Sequence, residues 1–146
     1  MKRPPEINIV IGIGIFAFVA ISAYWFFWFA VPGVVQSRTP ADPDYLVYEA
    51  YELAFPLPDA FVAIAALVGV IGLWKMKDWG FLSMLLAAGG AFFLGLEDLL
   101  FDLENHMFTP FNDAAVIELA IVFLIMALGP AMTLLLWKHR RKLVHS

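Results

Sequence analysis

Long apolar runs separated by short charged turns organise this chain. From Ile7 to Gln36 there is no Asp, Glu, Lys or Arg. About 20 apolar residues cross the ~30 Å hydrocarbon core of a bilayer, so 7–31 is long enough to span it with some tilt. The stretch exceeds the ~7–15 apolar residues of a signal peptide. It also ends in Tyr24, Trp25, Phe26, Phe27, Trp28 and Phe29 rather than in small residues, which predicts a retained span. A second span is predicted over 58–74, with Asp59 at or near its N-cap behind Pro58. Lys75-Met76-Lys77-Asp78 makes a turn into a third, about 79–102. A fourth runs from about Asp113 to Trp137. Gly129-Pro130 should kink or loosen it, and the basic run Lys138–Lys142 should end it.

The stretch 32–57 forms the longest connection. Pro32, Gly33, Pro40 and Pro43 keep its first half out of regular helix. Tyr45, Tyr48, Tyr51, Glu52 and Phe55 then recur at helical spacing, which predicts a short helix in the interface plane, where tyrosines sit well. The expected fold is therefore all-α and polytopic, one domain over 1–146 with four transmembrane helices.

Composition agrees. Hydrophobic residues make up 62% and charged residues 15%, and the mean hydropathy is +0.83. A soluble domain has roughly 45–50% apolar and about 25% charged residues. The excess apolar surface needs lipid as its solvent. With no cysteine, disulfides, thiolate metal sites and thiol relays are excluded. No basic–aromatic pattern or nucleic-acid motif occurs, and no HExxH, GxSxG or zinc spacing. No cofactor is required by the sequence.

The net charge of −4 matters less than its distribution. With four spans, the N-terminus, the turn at 75–78 and the C-terminus share one side. Eight of the nine basic residues lie there, and Arg38 alone lies on the other. Basic residues are retained on the cytoplasmic side, so both termini are expected inside, in the plasma or inner membrane. Trp74, Trp79 and Trp137 mark the inner interface, and Trp25 and Trp28 the outer one.

Eleven of the thirteen acidic residues then fall in the outer loops or the outward helix ends; only Glu6 and Asp78 lie inside. Asp42, Asp44, Glu49, Glu104 and Asp113 read as solvated loop charges. Asp59, Glu97, Asp98 and Glu118 sit deeper. At ~1.5 Å per residue, Asp59 lies about 22 Å from Trp74, Glu97 and Asp98 about 27–29 Å from Trp79, and Glu118 about 28 Å from Trp137. Each of spans two, three and four thus carries a carboxylate near one level.

Helical phase sharpens the picture. Ser83, Ala87, Ala91, Gly95, Asp98 and Asp102 share one stripe of the third span, and small residues permit close helix approach in lipid. If that stripe faces the bundle, Asp98 and Asp102 face it too, and Glu97 is turned about 100° away. Ionisable residues at membrane depth usually face the interior or a wet cavity. Carboxylates within ~4–6 Å of one another need help to stay ionised: a shared proton, a bound oxygen-preferring cation or a basic partner, such as Arg38 or a cationic molecule. The candidate ligand- or proton-binding set is Asp59, Asp98, Asp102 and Glu118, extended to Glu97, Glu52 and His106. Any metal would take the same carboxylates. The bland alternatives are capping by Asp59 and Asp113 and solvation of His106.

Three functions fit. One is transport or binding of a cation, protons or a cationic small molecule in an outward acidic pocket. The second is a non-catalytic accessory subunit docked on a membrane protein partner or on a second copy. The third, more remote, is a metal-dependent enzyme acting on lipid. The bilayer is the one partner all three require.

Overall fold

The computed structural model describes residues 3–109, 111 and 113–144, so Lys2 and His145 lie outside the described residues. Five helices make up the fold: α1 (Pro5–Ala30), α2 (Tyr45–Glu52), α3 (Pro56–Trp74), α4 (Asp78–Glu104) and α5 (Asp113–Leu143). No strand occurs among the described residues. Four helical segments are long and apolar enough to cross a membrane: Pro5–Ala30, Tyr45–Trp74, Asp78–Glu104 and Ala115–Leu143. This is a multi-pass membrane protein. Its outward surface bears Ile9, Phe16, Phe26, Phe29, Leu82, Phe93, Phe123 and Leu134, the composition that hydrocarbon accepts.

The order of packing is α1–α3–α4–α5, with lighter contact between α1 and α5. The turn between α3 and α4 brings Gly72 against Gly80, where a Cβ on either would overlap the other's backbone. Higher up, a Cβ at Gly69 would lie 2.9 Å from the Met84 amide nitrogen, and one at Gly129 would lie 2.7 Å from the Ala88 carbonyl oxygen. Backbones this close are the way lipid-embedded helices gain dispersion energy, since lipid supplies no hydrophobic drive between them. Ser83, on the small stripe of α4, donates from Oγ to the Ala65 carbonyl at 2.8 Å.

The buried apolar core lies toward the end of the bundle that carries residues 3 and 144. It contains Ile7, Val10 and Ile11 of α1, Ala66, Val70 and Leu73 of α3, Met84 and Ala88 of α4, and Met132, Leu136 and Leu143 of α5. Polar clasps close the same end. Arg3 donates from Nη1 to the Trp74 carbonyl at 3.1 Å, and Lys138 Nζ stands 2.9 Å from Glu6 Oε1. His139 Nε2 lies 3.4 Å from Glu6 Oε2, ion-pair length without hydrogen-bond geometry.

Some boundaries differ from those read in the sequence. The basic run does not stop the fourth span: α5 continues to Leu143. Leu143 is fully buried in the core, and basic side chains in a last helical turn suit the negative end of the helix dipole. Nor does Asp59 cap α3. That helix starts at Pro56 with Phe55 as N-cap, and Asp59 sits inside its first turn. The short helix expected after Pro43 is present as α2, but Tyr48 and Tyr51 turn into the protein rather than toward an interface. Tyr48 is buried beside Trp28, with ring centroids 6.0 Å apart. Tyr51 stacks on Phe101 at 3.7 Å.

Candidate carboxylate site

The site lies at the other end, opposite the basic clasps, where α2 through α5 each bring a carboxylate and α1 brings donors. Tyr24 Oη donates to Glu52 Oε2 at 2.9 Å. Trp25 Nε1 donates to Asp59 Oδ2 at 2.8 Å. Tyr51 Oη donates to Asp98 Oδ1 at 3.3 Å. Glu52, Asp59 and Asp98 are all partly buried, and each carboxylate has an aromatic donor. Such bonds are roughly twice as strong when the carboxylate is ionised as when it is neutral.

Trp25 and Trp28 are therefore more than a belt. Trp28 is only 7% exposed, and its carbonyl accepts from Gln36 Nε2. Tyr24, Trp25, Trp28 and Phe29 form a run of ring contacts with centroids 5.2–5.9 Å apart. The Tyr24 and Trp25 donors project from this aromatic run at the end of α1. An O–H or indole N–H inside the membrane must find an acceptor, and the carboxylates provide it.

Two acids lack such a donor. Asp102, one turn beyond Asp98 on α4, is 3% exposed, and its Oδ2 has no hydrogen-bond partner among the described residues. It is the one buried charged residue among those described. Glu118, on the facing side of α5, is half-buried and makes no side-chain hydrogen bond among the described residues. The charge of Glu118 acts on both Asp98 and Asp102, and that of Asp98 acts on Asp102 as well. Glu52 feels Asp98, Glu118 and Asp59. Glu118 thus lies within electrostatic reach of Glu52, Asp98 and Asp102, and Asp59 within reach of Glu52 and Asp98.

The remaining candidates stay outside. Glu97 is exposed, although its charge reaches Asp98 and Tyr51. His106 is exposed in the turn after α4, with φ of 53°. Arg38 does reach across, but to Met107, with Nη2 3.5 Å from the sulfur. Among the described residues no three His, Asp or Glu side chains are placed to hold one metal ion.

Tyr24, Trp25 and Tyr51 join the site although residue type alone marks them as no more than aromatics near the membrane boundary. Their signal was the presence of O–H and N–H groups on rings level with the acids. No protein-family model, curated protein or solved structure matches this chain.

Proposed function

We propose that this protein binds a cation, protons or a cationic small molecule at an outward-facing site built from Asp98, Asp102 and Glu118 and framed by Glu52 and Asp59. The observation that carries this reading is Asp102: a carboxylate 3% exposed, with one oxygen unpartnered and two more acids in electrostatic reach. Leaving a charge buried and uncompensated costs several kcal/mol. A proton or a cation in the gap removes that cost. Tyr24, Trp25 and Tyr51 take up Glu52, Asp59 and one oxygen of Asp98, so the unsatisfied capacity is left at Asp102 and Glu118. Whether occupancy is coupled to transport is a second step; Pro130 and Gly129 in α5 supply a place where that helix can flex.

In this reading both termini are cytoplasmic and the membrane is the plasma or inner membrane. It is supported by the basic residues Arg3, Lys75, Lys77, Lys138, Arg140, Arg141 and Lys142, all at the end opposite the carboxylates, where the positive-inside rule retains them.

The test is a thermal-unfolding panel on purified protein, titrating pH, Ca²⁺ and tetramethylammonium in turn. At least one should raise Tm in the parent and fail to do so in Asp102→Asn and Glu118→Gln. Identical responses of parent and both variants to all three would end the proposal.

A second reading, an accessory subunit, is favoured by Gly12 and Gly89, which open onto empty space on the outer faces of α1 and α4. Flat glycine faces suit helix docking in lipid. Stoichiometric copurification of another membrane protein, lost in Gly89→Leu, would establish it. The metal-dependent enzyme has no three-residue ligand set among the described residues to build on.

A further inference from the structure

The end that carries both clasps also holds an unassigned groove. It is lined by Val70, Ile71, Trp74 and Lys75, has a volume of about 260 Å³, and opens outward. Its walls are apolar, and its rim is cationic. Lys75 is exposed at the C-cap of α3. The Arg3 guanidinium lies over the Trp74 ring, 5.0 Å from its centroid. Nη1 of Arg3 is bonded to the Trp74 carbonyl, whereas Nε is buried and has no partner among the described residues.

Above the groove the outer face of α3 continues as an apolar track. Ile64, Val68 and Ile71 are all exposed, at spacings of four and three residues that keep them on one side of the helix. From residue 64 to residue 75 the helix rises about 16 Å. That is close to half of a ~30 Å hydrocarbon core, the depth of one leaflet. A single acyl chain has this length, and a headgroup phosphate would then stand level with Lys75 and Arg3.

We propose that this groove binds one anionic phospholipid, with its phosphate on Lys75 and Arg3 and an acyl chain along Trp74, Ile71, Val68 and Ile64. A soluble anion would use the rim and ignore the track. A zwitterionic lipid would use the track but gain less from two cations. The two features together select a lipid with net negative charge. Arg3 is presented by its stacking on Trp74 rather than left to sweep through solvent, which lowers the entropy lost when a phosphate arrives.

Native mass spectrometry of the full chain, delipidated and then supplied with phosphatidylglycerol or phosphatidylcholine of the same acyl composition, tests this. One phosphatidylglycerol should be retained at energies that strip phosphatidylcholine. Lys75→Gln and Arg3→Gln together should weaken that retention about tenfold or more, from the attraction of two basic residues. Lys75→Gln alone, an exposed change that spares the Arg3 clasp, should give part of the loss. Arg141→Gln with Lys142→Gln, on the exposed tail, should leave retention unchanged. The inference is overturned by equal retention of both lipids or by inorganic phosphate competing as well as the lipid does. Loss in the tail variant equal to that in the Lys75 variant would also overturn it, as would a lipid-free dimer in place of the adduct.

Discussion

Trp25 and Asp59, 34 residues apart in the chain, are joined by a 2.8 Å hydrogen bond from the indole Nε1 to Oδ2. It ties the far end of α1, which has no acid of its own there, to the first turn of α3. Replacing Trp25 by Phe keeps much of the ring and removes the donor. Leaving a partly buried carboxylate oxygen unpaired costs ~1–3 kcal/mol, so Trp25→Phe should unfold at lower temperature in detergent. Equal Tm for Trp25→Phe and the parent would show that this bond carries no stability.

The Gly72–Gly80 contact gives a sharper contrast. Ala at either position must push two backbones apart, because the obstructing atoms are main-chain rather than a flexible side chain. Gly72→Ala and Gly80→Ala should each destabilise by ~1–3 kcal/mol, the usual cost of overpacking. Gly12→Ala and Gly89→Ala, which meet nothing within 4 Å, should be neutral or slightly stabilising, since Ala is the better helix former. Urea or SDS unfolding of the four variants separates the two classes.

A pH effect is expected in the loop before α2. Asp42 Oδ2 accepts from the Thr39 amide at 2.7 Å and from Thr39 Oγ1 at 3.0 Å. These two bonds, the amide first and the hydroxyl second, hold its carboxyl below the usual aspartate range, with Arg38 adding a smaller pull. A pKa lower in the folded than in the unfolded chain gives stability that is present above the unfolded value of about 4 and fades as pH falls through the folded value. Thr39→Val keeps the amide and loses the hydroxyl. The Asp42 carboxyl carbon, followed by NMR, should then titrate nearer the ordinary value. An unchanged titration would assign the whole effect to the amide.

Sidedness is open to a direct assay because the chain has no cysteine. Single replacements Ser37→Cys and Lys77→Cys stand at opposite ends of the bundle. In intact cells an impermeant maleimide should label the first and spare the second. The reverse pattern would place the carboxylates inside and remove the outward-facing part of the proposed function.

How much of this was legible in the sequence depends on what kind of information each feature needs. Span length and charge-free runs were enough to find the four long helices, because hydrocarbon thickness is a one-dimensional constraint. The stripe from Ser83 to Gly95 marked the packing face of α4, and the burial of Asp102 follows from its place on that stripe. The end of α5 is not legible because its partners are distant in the chain: Lys138, itself largely exposed, meets Glu6 132 residues away, and Leu143 is buried in the core. The Trp25–Asp59 and Tyr24–Glu52 bonds were hidden for the same reason. Apolar residues surround α1 on every side, so its sequence does not fix which face meets α3.

The central claim is that Asp102 and Glu118, on different helices, act on each other in a confined space. A double-mutant cycle tests it most directly: the free energy of protonating Asp98, from the pH midpoint of its carboxyl resonance, in the parent, Asp102→Asn, Glu118→Gln and the double variant. Groups sharing one site couple by ~0.5–3 kcal/mol, so the two substitutions should be clearly non-additive. An Asp98 midpoint that is the same in the parent and in all three variants would mean that the acids are solvated separately, and the proposed site would not exist.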